Sequence, residues 1–252
     1  MMERVVIVSD CTDVAFLELR SAIFSATRAV EPPVSVEIEP LVAVEPFSVL
    51  NAAFLTRLVA ELAWPGTLIM CVVNSLRERT ERLIVRTEKH GLLLVGANTG
   101  ALGWLTSDFG VAECVEMEGP DFVPFGGKYI HAPAVGALVR GVPPADLGMP
   151  FSEGSIRSAP LSDGLIVHVD NFGNAKFLCA VNDLRPGERL RVEVDGRYIE
   201  ATYGRRMMDF DDGSWVVYPG SSLGLHELGQ VRRQGAQAIG WRVGDSIHLQ
   251  RI

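Results

Sequence analysis

The chain has 252 residues, a formal net charge of -8, 48% hydrophobic residues and 21% charged ones. That is ample apolar material for one large domain or two unequal ones, and the mixed charges without low-complexity tracts exclude extended disorder. No basic cluster denser than residues 77–82 or Arg232-Arg233 occurs, which excludes counterion-release binding to nucleic acid, and no apolar run nears the roughly 18 residues of a membrane span.

Residues 5–9 are a continuous apolar run ended by Asp10, the pattern of a strand buried on both faces. Residues 14–30 follow with helical spacing, Phe16, Leu19, Ile23 and Phe24 sharing one face. The pattern then predicts a strand at 34–38, a helix at 49–62 and a strand at 67–73. Further strands are predicted at 83–86, 92–96 and 111–117, and a helix at 130–139. This alternation argues for an α/β domain over 1–145, a mostly parallel sheet with flanking helices. Residues 146–163, rich in Pro, Gly and Ser, read as a linker. Residues 164–252 read as a smaller β-barrel or sandwich domain, with short strands at 165–169, 189–194, 197–202, 214–218 and 246–249. Asp195-Gly196 there is a type I′ hairpin signal.

Asp10 ends the first strand, where open α/β sheets bind ligands, and a carboxylate at that place can accept ribose hydroxyls or pair with an ammonium group. Asp13 reads either in the same way or as a helix N-cap. Asp170-Asn171-Phe172-Gly173-Asn174 is either a plain turn or a polar rim carrying an aromatic. Gly126-Gly127-Lys128 lacks the spacing of a P-loop. Cys11, Cys71, Cys114 and Cys179 lie far apart, with Cys71 and Cys179 read as buried thiols, and the five histidines share no ligand spacing, so no metal is expected. His168 alternates with apolar neighbours as an exposed strand residue does. MMERVVIVSD enters a strand directly without a signal-peptide pattern, and the expectation is a soluble, cytoplasmic protein.

Taken together, these segments resemble the S-adenosylmethionine hydroxide adenosyltransferases, the family of the S-adenosylmethionine hydrolases, fluorinase and chlorinase. Ser9-Asp10-Cys11-Thr12-Asp13 resembles the family's opening Thr/Ser-Asp-Phe/Leu-Gly and its second Asp. Pro46-Phe47-Ser48 sits where halogenating members have Pro-Trp-Asp, and Val95-Gly96-Ala97-Asn98-Thr99-Gly100 resembles Val-Gly-Pro-Asp-Asn-Gly. Phe125 to Ala134 resembles Phe-His-Gly-Arg-Asp-Ile-Phe-Ala-Pro-Ala, Asp170 to Asn174 keeps Asp-x-Phe-Gly-Asn, and Gly244-Asp245 matches the closing Val-Gly-Asp.

The resemblance implies binding of S-adenosylmethionine (SAM) or a related adenosine compound. It assigns Asp10 to the ribose hydroxyls, Phe47 to stacking, and Asp13, Asp170 and Ser221 to the methionine ammonium and carboxylate. It puts Asn174, beside Phe172, near the reaction centre, and Arg233 and Gly235 at the adenine edge. It also implies a homotrimer with sites between neighbouring subunits. The hydrolytic members' Asp-Arg-His triad is degenerate here: Asn74 replaces the Asp, Gly126 the His, and ungapped counting puts Glu81 at the Arg, with Arg82 or Arg79 as substitutes. Two outcomes stay open, an enzyme attacking C5′ with water or a halide and an inactive adenosyl-binding protein, with a scaffold bearing a vestigial pocket behind both.

Overall fold

The computed structural model describes residues 4–74, 80–120, 122–179, 181 and 183–252. They fall into two compact units, residues 1–159 and 160–252. Each has its own apolar core.

In the first unit, β1 (Arg4–Ser9) is buried along almost its whole length, as an apolar run with a helix layer on each side must be. Asp13 caps α1 (Val14–Thr27), its carboxylate accepting from Ala15 N at 2.9 Å, and Leu19 and Ile23 face the core one turn apart. β2 (Glu37–Ile38) and β3 (Val42–Ala43) are short parallel additions to β1. The expected strand at 34–38 shrinks because Val34 donates back to Thr27 O at the exit of α1. Ser48 caps α2 (Val49–Leu62), accepting from Asn51 N at 3.2 Å. β4 (Leu68–Val72) is followed by β5 (Arg82–Thr87) and β6 (Leu93–Ala97). α3 (Gly103–Phe109), β7 (Val111–Met117), a π-helical turn (Gly127–His131), α4 (Ala132–Val139) and β8 (Gly148–Pro150) complete the unit.

The sheet runs β2-β1-β4-β6-β5-β7-β8, with β3 beside β1. From β2 to β6 the pairings are parallel. From β5 to β8 they are antiparallel. The expected α/β layer is present, and its antiparallel half starts where β5 turns straight into β6. His90 and Gly91 take φ of 63° and 58° in the connecting loop, which Thr87 N closes by donating to Leu92 O at 2.9 Å. α1 and α4 pack on one face of the sheet, through Leu19, Ile23, Val135 and Leu138 against Ile7, Met70 and Val95. The segment read as a linker is tied to this unit up to Ala159. β8 pairs with β7, Asn98 Nδ2 donates to Ser155 O and Ala159 N donates to Gly100 O.

The second unit contains β9 (Ile166–Val169), β10 (Ala175–Phe177), β11 (Arg189–Val194) and β12 (Arg197–Tyr203). β13 (Trp215–Pro219), β14 (His226–Gln230), α5 (Gly235–Ala238) and β15 (His248–Arg251) follow. Their order is β15-β11-β12-β13-β14-β10-β9. A bridge between Leu165 and Ser246, with Ile166 N donating to Asp245 O, ties together the segments just before β9 and β15, so the sheet curls around Phe177, Val192, Val217 and Trp241. The predicted hairpin turn is seen, with Asp195 and Gly196 both at positive φ.

Candidate functional site

Because β1, β4 and β6 are parallel, their carboxyl ends share one edge, and Asp10, Asn74 and Asn98 follow those ends. β5 runs the other way, so Arg82 lies opposite Ala97 at the same edge. Asp10 accepts from Phe47 N at 3.0 Å through Oδ2 and from Asn74 N at 3.1 and 3.2 Å through both oxygens. One carboxylate thus gathers three of the candidate residues.

Phe47 occupies an unusual place. Glu45-Pro46-Phe47-Ser48 is a turn closed by Ser48 N donating to Glu45 O at 3.1 Å, with Pro second and a φ of 63° at Phe47. This is the pattern of a type II turn, whose third position favours glycine. A Cβ-bearing residue held left-handed costs about 1–2 kcal/mol, and the ring is 67% exposed, so core burial does not offset the strain. Asp13 stands apart as the exposed cap of α1.

The three positions that the resemblance assigns to the triad, 74, 82 and 126, also lie near this edge. Asn74 is exposed, and Arg82 starts β5 two strand spacings away, about 10 Å. Gly127 abuts Val72, bringing the π-helical turn over the end of β4, and a side chain added at Gly126 would meet open space. No side chain at Gly126 accepts a proton. Glu81, at the counted Arg position, is committed elsewhere: it accepts from Asn98 Nδ2 at 3.0 Å and lies 3.9 Å from Arg157. Arg82 donates to Pro120 O at 3.2 Å. Arg77, Glu78 and Arg79 lie outside the described residues.

His131, one of the five histidines without ligand spacing, closes the π-helical turn before α4. It is 5% exposed, and neither ring nitrogen has a hydrogen-bond partner among the described residues. Burial first, and the positive Arg82 second, push its pKa down to about 4, so the ring is neutral near pH 7. Cys11 has its thiol pKa raised, mainly by burial, away from the thiolate form. Cys71 is buried and raised to about 11, whereas Cys179 is only half-buried.

In the second unit the turn after β9 is built by Asp170. Its Oδ1 accepts from Phe172 N and Asn174 N, both at 2.9 Å, and its Oδ2 from Asn174 Nδ2 at 3.1 Å. Gly173, at φ 79°, presses on Gln234 so closely that a Cβ would lie 1.9 Å from Gln234 O, and Ala236 N donates to Gly173 O. Gly235 is therefore held against the turn, with Arg233 exposed just before it and Phe172 67% exposed. Ser221 lies in the loop entering β14, while Asn174 lies beside Gly229 near that strand's exit.

A polar row crosses four neighbouring strands: His168, Lys176, Glu227 and Tyr218 stand opposite one another in register. Lys176 pairs with the buried Glu227, which also accepts from Tyr218 Oη at 2.8 Å. His168, expected to be exposed, is half-buried against Lys176, and burial with that charge lowers its pKa. Alternation does not reveal this row, because each partner is distant in sequence.

The model of the SAM hydroxide adenosyltransferase N-terminal domain matches residues 21–148, just over half of the chain. The chain belongs to this family. An (R)-S-adenosyl-L-methionine hydrolase of Thermus thermophilus is 30% identical over 135 residues, which cover 52% of this chain but only 50% of that relative. Another, from Salinispora arenicola, is 27% identical over 214 residues, 79% of this chain and 80% of the relative. The fold recurs in a crystal structure of an uncharacterized conserved protein from Thermotoga maritima, with a TM-score of 0.82 and 22% identity over 98% of this chain and 100% of that one. A conserved hypothetical protein from Thermus thermophilus gives a TM-score of 0.77 and 22% identity over 99% and 100%. Among the described residues, no helix is long and apolar enough to cross a membrane.

Proposed function

We propose that this member of the SAM hydroxide adenosyltransferase family binds SAM and cleaves it at C5′ slowly, with water as nucleophile. The observation that carries this reading is the gathering of Asp10, Phe47 and Asn74 at the carboxyl edge of parallel strands, where α/β sheets receive ligands. Oδ2 of Asp10 already accepts from both amides, whereas Oδ1, which of the two accepts only from Asn74 N, keeps a lone-pair position for a ribose hydroxyl. Phe47 presents a flat apolar face to adenine or ribose. The family resemblance assigns Asp170 and Asp13 to the methionine ammonium, Ser221 to its carboxylate, and Asn174, Phe172, Arg233 and Gly235 to the nucleoside.

The chemistry asks little of a base. Water attacks C5′, the C5′–S bond breaks, and neutral methionine leaves with the bonding electrons. The protonated product alcohol is strongly acidic and passes its proton to solvent. Orientation and exclusion of bulk water supply rate without a titratable group. Base assistance is worth 10²–10⁴-fold, so Asn74 and the bare Gly126 forgo about 3–5 kcal/mol. The same open Gly126 favours a second reading, binding without turnover.

Titration calorimetry with SAM, followed by chromatography for adenosine and methionine, tests the proposal. Binding with slow adenosine release supports it, binding without release selects the second reading, and absence of binding defeats both. The double variant Asn74→Asp with Gly126→His, leaving Glu81 to its Asn98 contact, is expected to release adenosine at least tenfold faster. Gly126 has an ordinary helical φ of -54° and open space for the new ring. An unchanged or lower rate in this folded variant defeats the assignment of positions 74 and 126.

A further inference from the structure

We propose that Asp10 is a positioning residue: its carboxylate fixes the peptides of Phe47 and Asn74, and thereby sets the aromatic face and the neighbouring loop against which a ligand packs. The inference rests on the adenosyl-binding reading above and goes beyond direct contact between Asp10 and ribose.

Two independent observations meet here. First, the acceptor geometry is local and specific. Oδ2 receives Phe47 N at 3.0 Å and Asn74 N at 3.1 Å, and Oδ1 receives Asn74 N at 3.2 Å, from segments 37 and 64 residues away. Ionised acceptors make the stronger hydrogen bonds, so this carboxylate staples the ends of β1 and β4 to the loop before α2. Second, Phe47 sits left-handed in a turn position that favours glycine, with its ring in solvent. Strain of this kind persists where the surroundings over-determine it, and it clusters at ligand clamps. The other contacts of the loop hold its ends: Ser48 N to Glu45 O, and Glu45 N to Asn51 Oδ1 at 2.9 Å. Among the hydrogen bonds of the described residues, Asp10 alone receives the Phe47 amide itself, so it decides where the ring stands.

The chemistry distinguishes the two roles of Asp10. A ribose contact disappears when the sugar hydroxyls are removed from the ligand, whereas a positioning role does not. Adenosine and 2′,3′-dideoxyadenosine are therefore titrated into the intact protein and into Asp10→Ala, and amide hydrogen exchange is followed in both proteins without ligand. Asp10→Ala is expected to weaken the dideoxynucleoside by a factor of about 10 to 100, and adenosine by at least as much. It is also expected to accelerate exchange at Phe47 and Asn74 at least tenfold, while α2 amides stay protected. In the Phe47→Ala background the effect of Asp10→Ala is expected to shrink several-fold. Asp10→Ala weakening only adenosine, with unchanged exchange at Phe47 and Asn74, overturns the proposal. Failure of the parent protein to bind either nucleoside defeats the adenosyl reading instead. The clamp then stands or falls on the exchange result alone, which also reports whether the variant is folded.

Discussion

Single buried groups carry pH dependence of their own. His131 is the sharpest case, a buried imidazole whose nitrogens both lack partners among the described residues, beside the positive Arg82. Its folded-state pKa of about 4 lies below the ordinary value of 6.5, so the unfolded chain takes up the proton first as pH falls. The contribution to stability is complete above pH 6.5, shrinks through the window from 6.5 to 4, and is lost once the folded form also protonates. The shift corresponds to roughly 3 kcal/mol over that window. Urea unfolding at about pH 7 and about pH 4.5 is expected to show this loss in the parent and a clearly smaller one in His131→Phe. Near neutral pH that variant matches or exceeds the parent, because an orphaned polar ring has been replaced by an apolar one. Equal pH dependence in the two proteins contradicts the assignment.

At the scale of elements, α1 and α4 approach each other more closely than two side-chain-bearing helices can. A Cβ at Gly136 would lie 2.3 Å from the Cβ of Ala26. Gly136→Ala is expected to cost about 1–3 kcal/mol in chemical denaturation, the range for overpacking. Adding Ala26→Gly restores part of that loss. Simple additivity of the two changes means the helices touch elsewhere. Legibility from sequence also varies by element. The helix at 49–62 and the strand at 111–117 are read to the residue, because Ser48 caps the one and Gly110 and Glu118 bound the apolar run of the other. α3 hides in a glycine-rich stretch whose Gly103 lies against the backbone of Arg157 and Ser158. β14 hides because its Glu227 is neutralised by Lys176 on a strand 51 residues away, and no local pattern announces such a pairing. The candidate site divides in the same way. Asp10 and the Asp170–Asn174 turn stand out as motifs, whereas the clamp on Phe47 and Asn74 depends on strand register.

For the whole molecule, we expect a homotrimer, as the family resemblance implies. Light scattering at micromolar concentration is expected to return three times the 27.4 kDa chain mass, and a monomer contradicts it. Ligand that binds only the folded form raises stability by RT ln(1 + [L]/Kd), about 2.7 kcal/mol at a hundredfold excess over Kd, so SAM is expected to raise the melting temperature in proportion to its logarithm. The bridge between Leu165 and Ser246 in the second sheet has a bearing on the crowded, partly unfolded conditions that every chain meets. There the backbone amides of Ile166 and Ile247 are spent on each other's segments and are not offered to another molecule. Among the described residues the first sheet has two open margins, but they are the two-residue β2 and β3 on one side and the three-residue β8 on the other, which ends in Pro150 and its missing amide hydrogen. Neither margin is long enough to seed strand-by-strand growth, so heating should lead to amorphous precipitate rather than to ordered fibrils.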